Sequence, residues 1–268
     1  MGWDEYKAIL HEALRARLAA DDFDEPQAQR FLEQHPCLVP YATRSGYHAR
    51  IDYVYTQVQL GPRGRIPDFV RLSKNSSKTY LDLVEIESPA KRLFTKAGQP
   101  GERFVQARQQ LSDWSEWLRA DGNRTQLREY LRLDRTTFPD DVIVRRILVM
   151  GRRDEVEKSP RGRAARGDDN DEVTSMTWDR VAPDEDSRQA VTIRMDGGVP
   201  TVRYVPATFT TSRLMAPTLR SIEGWESAIE RSLYITEPRK AKLISRVNYW
   251  RGIAATHGPN GWVDSEPE

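Results

Sequence analysis

RIPDFVRL at residues 65–72 and KTYLDLVEIES at 78–88 are two extended runs joined by the polar stretch SKNSS. β-Branched and aromatic residues flanking a polar turn read as a hairpin. A turn between Ser76 and Ser77 places Asp68 directly opposite Glu85, since both are the same number of residues from it. Residues opposed in this way carry Cβ atoms about 4.5–5.5 Å apart on one face. Glu87 lies two residues beyond Glu85 and shares that face. Three carboxylates are therefore expected to converge at the end of a strand that is otherwise apolar at Leu81, Leu83, Val84 and Ile86.

Like charges opposed on a sheet repel, and burying them unpaired costs more. A divalent cation removes that repulsion. Magnesium prefers hard oxygen ligands, commonly one or two carboxylates with waters and phosphate oxygens. A metal so held polarises a phosphodiester and lowers the pKa of an attacking water. The alternative is that these acids end a strand at the solvent edge and pair with Arg65, Arg71 or Lys78.

Outward from the hairpin, residues 3–19 form an amphipathic helix along Ile9, Leu10, Ala13, Leu14 and Leu18. A cap at Asp24 or Glu25, with Pro26 in the first turn, opens a second helix that His35-Pro36 stops. Gly46 to Leu60 alternates as a strand (Ile51, Tyr53, Tyr55, Val58, Leu60), and GPRG at 61–64 turns. Gly98 to Gly101 breaks the chain before a helix from Glu102 to Ala120. There Phe104, Ala107, Leu111, Trp114 and Leu118 follow helical spacing. A shorter helix covers 124–133, and VIVRRILVM (142–150) is a buried strand. The charged stretch at 152–172 reads as an exposed insertion, and VTSMTW (173–178) as a short strand. Beyond 186, VTIRM and PTVRYV flank a DGG turn as a hairpin, followed by helices at 223–234 and 237–254 and a loose tail. The order is mixed α/β. Its expected divisions are an N-terminal helix (1–24), a central domain (25–184) and a C-terminal α+β extension (185–268).

The chain has 268 residues, 30% of them charged, and a net charge of +1. No apolar run approaches the roughly 20 residues of a membrane span. The first residues mix acids and bases, unlike a signal peptide. One cysteine, Cys37, excludes an internal disulfide framework or a multi-cysteine zinc site. A cytoplasmic protein without membrane contact is expected. Residues 61–135 hold fifteen Lys/Arg against ten Asp/Glu, so the candidate acids sit in the most basic part of the chain. A basic field around a few carboxylates suits an enzyme acting on a polyanion, although an excess of this size also occurs as ordinary surface variation.

Three elements carry a family resemblance: Pro67-Asp68-Phe69, then Val84 to Pro89 (VEIESP), then Leu93-Phe94-Thr95-Lys96 running into Gly98-Gln99-Pro100. With Ala107, Gln110, Asp113 and Trp114 on the next helix, this text resembles the nuclease domain of the Shedu anti-phage defence proteins (the SduA family). The resemblance covers residues 25–118 and extends through 142–150 and 173–178 to TWDRV. It implies a PD-(D/E)xK, restriction-endonuclease-like mixed sheet flanked by helices. It also implies a Mg²⁺-dependent enzyme, with Mn²⁺ as a substitute, that cuts phage double-stranded DNA and works as a homo-oligomer.

Carried over by position, Asp68, Glu85 and Glu87 are the catalytic and metal-binding set. Glu33 falls where such folds place an additional acid, and Gln110 is positioned to reach the site from its helix; a solvated glutamate and a packing glutamine are the alternatives. Glu87 departs from the pattern, because the usual motif has lysine there. A glutamate reverses the charge and adds an oxygen ligand. Some restriction enzymes of this fold resemble this ExE arrangement, with the acid as base or extra ligand. Lys91 and Lys96 are candidates for holding DNA phosphates, or for supplying the missing cation.

Residues 185–268 resemble nothing named. Trp225, Tyr234, Tyr249, Trp250 and Trp262 among lysines and arginines read either as core or as a DNA or partner surface. Three functions follow as hypotheses: an endonuclease, a catalytically silent DNA-binding or sensing module, and a structural component of a defence assembly.

Overall fold

A computed structural model of the protein describes residues 1–20, 22–41, 53–59, 66–74, 78–133, 135, 138–158, 173–211 and 216–257. The expected turns at 61–64 and Ser76-Ser77, Ile51, Leu60, Arg65 and Trp262 lie outside the described residues. Among the described residues the architecture is mixed α/β: a seven-stranded mixed sheet and eight α-helices.

The strands are β1 (Tyr53–Thr56), β2 (Phe69–Lys74), β3 (Thr79–Ile86), β4 (Ile143–Val149), β5 (Val173–Met176), β6 (Val191–Asp196) and β7 (Val199–Tyr204), in the sheet order β5-β4-β3-β2-β1-β6-β7. The hairpin β2–β3 is antiparallel with Phe69 opposite Val84 and Lys74 opposite Thr79. That register, continued one residue, sets Asp68 across from Glu85. β4 and β5 add in parallel beyond β3, while β1 is antiparallel to β2 and parallel to β6. The strands of the C-terminal region are thus hydrogen-bonded into the same sheet as the hairpin.

The sheet separates two apolar layers. On one face Val70, Leu72, Leu81, Leu83 and Leu148 pack against Phe104, Leu111, Trp114 and Leu118 of α3 (Glu102–Arg119). Each such side chain removed from water contributes about 1.5–3 kcal/mol. Leu127 of α4 (Asn123–Tyr130) joins this layer. On the other face Phe69, Val84, Ile86, Ile147 and Val149 meet Leu10 and Leu14 of α1 (Trp3–Ala19) and Phe31 and Leu32 of α2 (Glu25–Gln34).

Residues 153–158, expected to be exposed insertion, instead form a short helix, α5 (Arg153–Lys158). It is anchored by Val156, which is buried, and by Glu155, which accepts from the Phe94 N–H at 3.2 Å. A further helix, α6 (Ala216–Ser221), precedes α7 (Trp225–Arg231) and α8 (Glu237–His257). Trp225 and Trp250 are core residues, whereas Tyr249 is half exposed. No helix among the described residues is long and apolar enough to cross a membrane.

Two buried arginines hold the sheet internally. Arg145 forms a two-point pair with Asp82 directly opposite it (Nε–Oδ1 2.9 Å, Nη2–Oδ2 3.2 Å) and lies 4.1 Å from the Tyr80 ring centroid. Arg71 donates to the Val39 carbonyl at 2.8 Å and to Ser187 Oγ at 2.6 Å, and stacks on Tyr41. Both belong to the β-face opposite Leu81 and Leu83, so Arg71 is no partner for Asp68 or Glu85. Lys78 lies at the far end of β3 from Glu85.

Candidate functional site

Four elements meet at the carboxyl end of β3. Asp68 enters β2 there, and its Oδ2 accepts from the Ile86 N–H at 2.8 Å. Its own carbonyl accepts from the Gln57 N–H at 3.1 Å, one residue beyond β1. Glu85 is the penultimate residue of β3, and Gln110 of α3 donates to its Oε2 at 2.9 Å. The Glu87 N–H donates to the Val149 carbonyl (2.9 Å) and its carbonyl accepts from Trp178 Nε1 (2.7 Å). The backbone at Glu87 is therefore clamped from both neighbours although the strand has ended.

α2 supplies the fourth wall. Glu33 Oε1 accepts from Thr56 Oγ1 at 2.5 Å and from Gln29 Nε2 at 3.2 Å. The same Gln29 Nε2 reaches Thr56 Oγ1 at 2.9 Å and the Asp68 carbonyl at 3.3 Å. At the helix start Asp24 takes the capping role, accepting from the Gln27 N–H at 2.9 Å. Glu25 is thereby released to pair with Lys91 Nζ at 2.7 Å, and the same ammonium contacts Glu87.

This concentration of acid raises its own proton affinity. Burial first, then the charges of Glu25, Glu87 and Glu33, push the Asp68 carboxyl up to about 7, against the lowering effect of the Ile86 N–H. Burial also drives Glu85 well above the usual carboxylate range, reinforced by Asp68, Glu87 and Glu25 and opposed by Gln110. Glu87 is raised by burial and by Glu25, while Lys91 holds it down. Burial alone would lower Lys91, yet its bonds to Glu25 and Glu87 raise it. Asp68 and Glu87 thus both disfavour the ionisation of Glu85, and Glu87 that of Asp68.

Of the residues singled out in the sequence, the fold brings together Asp68, Glu85, Glu87, Glu33, Gln110 and Lys91. Lys91 is engaged with carboxylates in this state. Lys96 is elsewhere: it is exposed at the tip of a small turn closed by Thr95 and Gln99 (2.8 Å) and by the Phe94–Pro100 bridge. The LFTK and GQP segments are the two arms of that turn. Glu25, Gln29 and Thr56 were not found from the sequence. Glu25 was legible only as a possible cap, and no spacing rule carries a helix-start residue to a strand end.

The donor set suits a hard divalent cation: several carboxylates held against their mutual repulsion, plus Gln29 Oε1, a buried amide oxygen with no hydrogen-bond partner among the described residues. It is not assembled as a finished cage. No three His, Cys, Asp or Glu side chains among the described residues stand ready around one point, and Lys91 and Gln110 already occupy carboxylate oxygens.

The fold and this site define a mixed α/β protein that gathers acidic side chains at the carboxyl end of a central strand. Over residues 22–181, more than half of its length, the chain matches the family model described as "Shedu protein SduA, C-terminal", and it belongs to that family. The matched segment contains every residue of the acidic cluster. No curated protein matches the chain.

Proposed function

We propose that the protein is a metal-dependent DNA endonuclease of the PD-(D/E)xK kind acting in anti-phage defence, with residues 25–184 as its catalytic domain. The observation that carries this reading is the pairing of Asp68 and Glu85 across the hairpin end, with Glu87, Glu33 and Gln110 drawn to the same place.

Asp68, Glu85 and Glu87 would hold Mg²⁺ or Mn²⁺. When bound, the ion supplies electrophilic activation of the scissile phosphate and lowers the pKa of the attacking water. The chain's own groups do the rest. Gln110 fixes the orientation of the Glu85 carboxylate. Glu87, in the place usually held by lysine, accepts the proton from water as the water oxygen bonds to phosphorus and the leaving oxygen departs. Lys91, four residues on, supplies the positive charge that the motif lacks and steadies Glu87. Lys96, exposed on its turn, contacts DNA phosphate.

A second reading is a catalytically silent DNA-binding or sensing module. Glu87 at the lysine position, already paired with Lys91, favours it. Incubation with supercoiled plasmid separates the two: relaxed or linear product with Mg²⁺ or Mn²⁺ but not with EDTA supports the enzyme. Salt-sensitive DNA binding without product supports the silent module.

A further inference from the structure

α2 turns one face toward the acidic site. Glu25, Gln29 and Glu33 are spaced by four residues, so they follow one another along that face. Glu25 and Glu33 are half-buried, and the charges of both act on Asp68. Gln29 lies between them, one turn from each, and is 8% exposed. Chemistry fixes which way round its amide stands. Nε2 lies 3.2 Å from Glu33 Oε1 and 3.3 Å from the Asp68 carbonyl, and a carboxylate and a carbonyl only accept. The other end is therefore the oxygen, and Oε1 is buried with no hydrogen-bond partner among the described residues. The donor end does not account for a buried glutamine here, because its acceptors have other donors. Glu33 Oε1 takes the Thr56 hydroxyl at 2.5 Å, and the Asp68 carbonyl takes the Gln57 N–H at 3.1 Å. A buried acceptor left without a partner costs about 1–3 kcal/mol.

We infer that Gln29 Oε1 is a further ligand of the divalent cation, joining the carboxylates from the α2 side; the inference rests on the metal-dependent reading above. An amide oxygen is a hard donor of the kind that suits Mg²⁺ and Mn²⁺. Being neutral, it adds a ligand without adding charge, where Glu25, Glu33 and Glu87 already disfavour the ionisation of Asp68. Coordination also gives the orphaned oxygen the partner that the fold withholds. A buried water would satisfy the same oxygen, but it would not make Gln29 discriminate between hard and soft metals.

The test is calorimetric titration of the full chain, without DNA, with Mn²⁺ and with Cd²⁺, in the wild type, Asp68→Asn, Gln29→Met and Gln29→Glu. Gln29→Met puts a soft thioether where the amide stood, which hard cations avoid and soft ones accept. Mn²⁺ should bind this variant about 10-fold or more weakly than the wild type, while Cd²⁺ should bind both equally well. Gln29→Glu loses the N–H donors but keeps an oxygen, and should bind Mn²⁺ at least as tightly as the wild type. Melting curves without metal check that each variant folds. Wild-type Mn²⁺ affinity in Gln29→Met, equal losses for Mn²⁺ and Cd²⁺, or lost Mn²⁺ binding in Gln29→Glu would overturn the assignment and leave the metal site standing. A wild type that binds neither ion, or an Asp68→Asn that binds Mn²⁺ as the wild type does, would overturn the metal-dependent reading itself, and the role of Gln29 with it.

Discussion

Asp68 Oδ2 accepts the Ile86 N–H at 2.8 Å, so a carboxylate on one strand is fastened to its neighbour between Glu85 and Glu87. The bond favours the ionised form, yet burial and the surrounding acids outweigh it and raise the Asp68 pKa to about 7. An acid whose folded pKa exceeds its unfolded value, near 3.9, binds its proton more tightly in the native state. Stability therefore falls as pH rises through the interval from about 4 to about 7, and the loss is complete above it.

Without metal, the melting temperature of the wild type should decline between pH 5 and pH 7.5 more steeply than that of Asp68→Asn, roughly as this linkage requires. Above neutral pH the variant should be the more stable of the two. Thermal denaturation in EDTA at a series of pH values measures both. Parallel curves would mean that Asp68 is not held protonated by its surroundings.

Metal should reverse that ranking. Mn²⁺ or Mg²⁺ is expected to raise the wild-type melting temperature with occupancy, by about 2.7 kcal/mol of stabilisation at a concentration 100-fold over Kd. Asp68→Asn should lose most of the response. A response of equal size in both proteins would place the bound metal elsewhere.

Lys91 tests the replacement of the missing lysine. Its ammonium is shared between Glu25, 41% exposed, and Glu87, only 10% exposed, so Lys91→Met should cost about 1–2 kcal/mol in urea unfolding. Its effect on cleavage should be far larger, about 10²-fold or more, the scale of a positioned acid–base group. Lys91→Arg should recover part of the activity. A Met variant that cuts at the wild-type rate would remove Lys91 from the mechanism.

The Asp82–Arg145 pair serves as a control remote from the chemistry. Arg145→Met removes the two-point partner of a fully buried carboxylate and should destabilise the fold by up to about 3–5 kcal/mol. A loss under about 1 kcal/mol in urea denaturation would show that Asp82 is satisfied without it.

The hairpin was legible in the sequence because its register depends on one local symmetry, the equal spacing of Asp68 and Glu85 about the turn. The core of α3 was legible for a similar reason: Phe104, Ala107, Leu111, Trp114 and Leu118 repeat with the helical period, and all are buried. What could not be read were relations without a period. β1 pairs in parallel with β6 across more than a hundred residues, and no turn announces it. Glu25 reaches the site only because α2 packs on the sheet. α5 was hidden because a highly charged sequence masked one apolar anchor, Val156. The Arg71 contacts to Val39 and Ser187 likewise exist only after three separate segments have come together.

The most direct measurement is cleavage of supercoiled plasmid in Mg²⁺ by the wild type, Asp68→Asn, Glu87→Ala and Glu87→Lys, each also in EDTA. The wild type should cut only with metal and Asp68→Asn should not cut. Glu87→Ala should be slower by about 10²–10⁴-fold, and Glu87→Lys should retain partial activity. Cutting by Glu87→Ala at the wild-type rate would leave an enzyme whose mechanism does not use Glu87. A wild type that is inert with every metal, with activity appearing only in Glu87→Lys, would contradict the account.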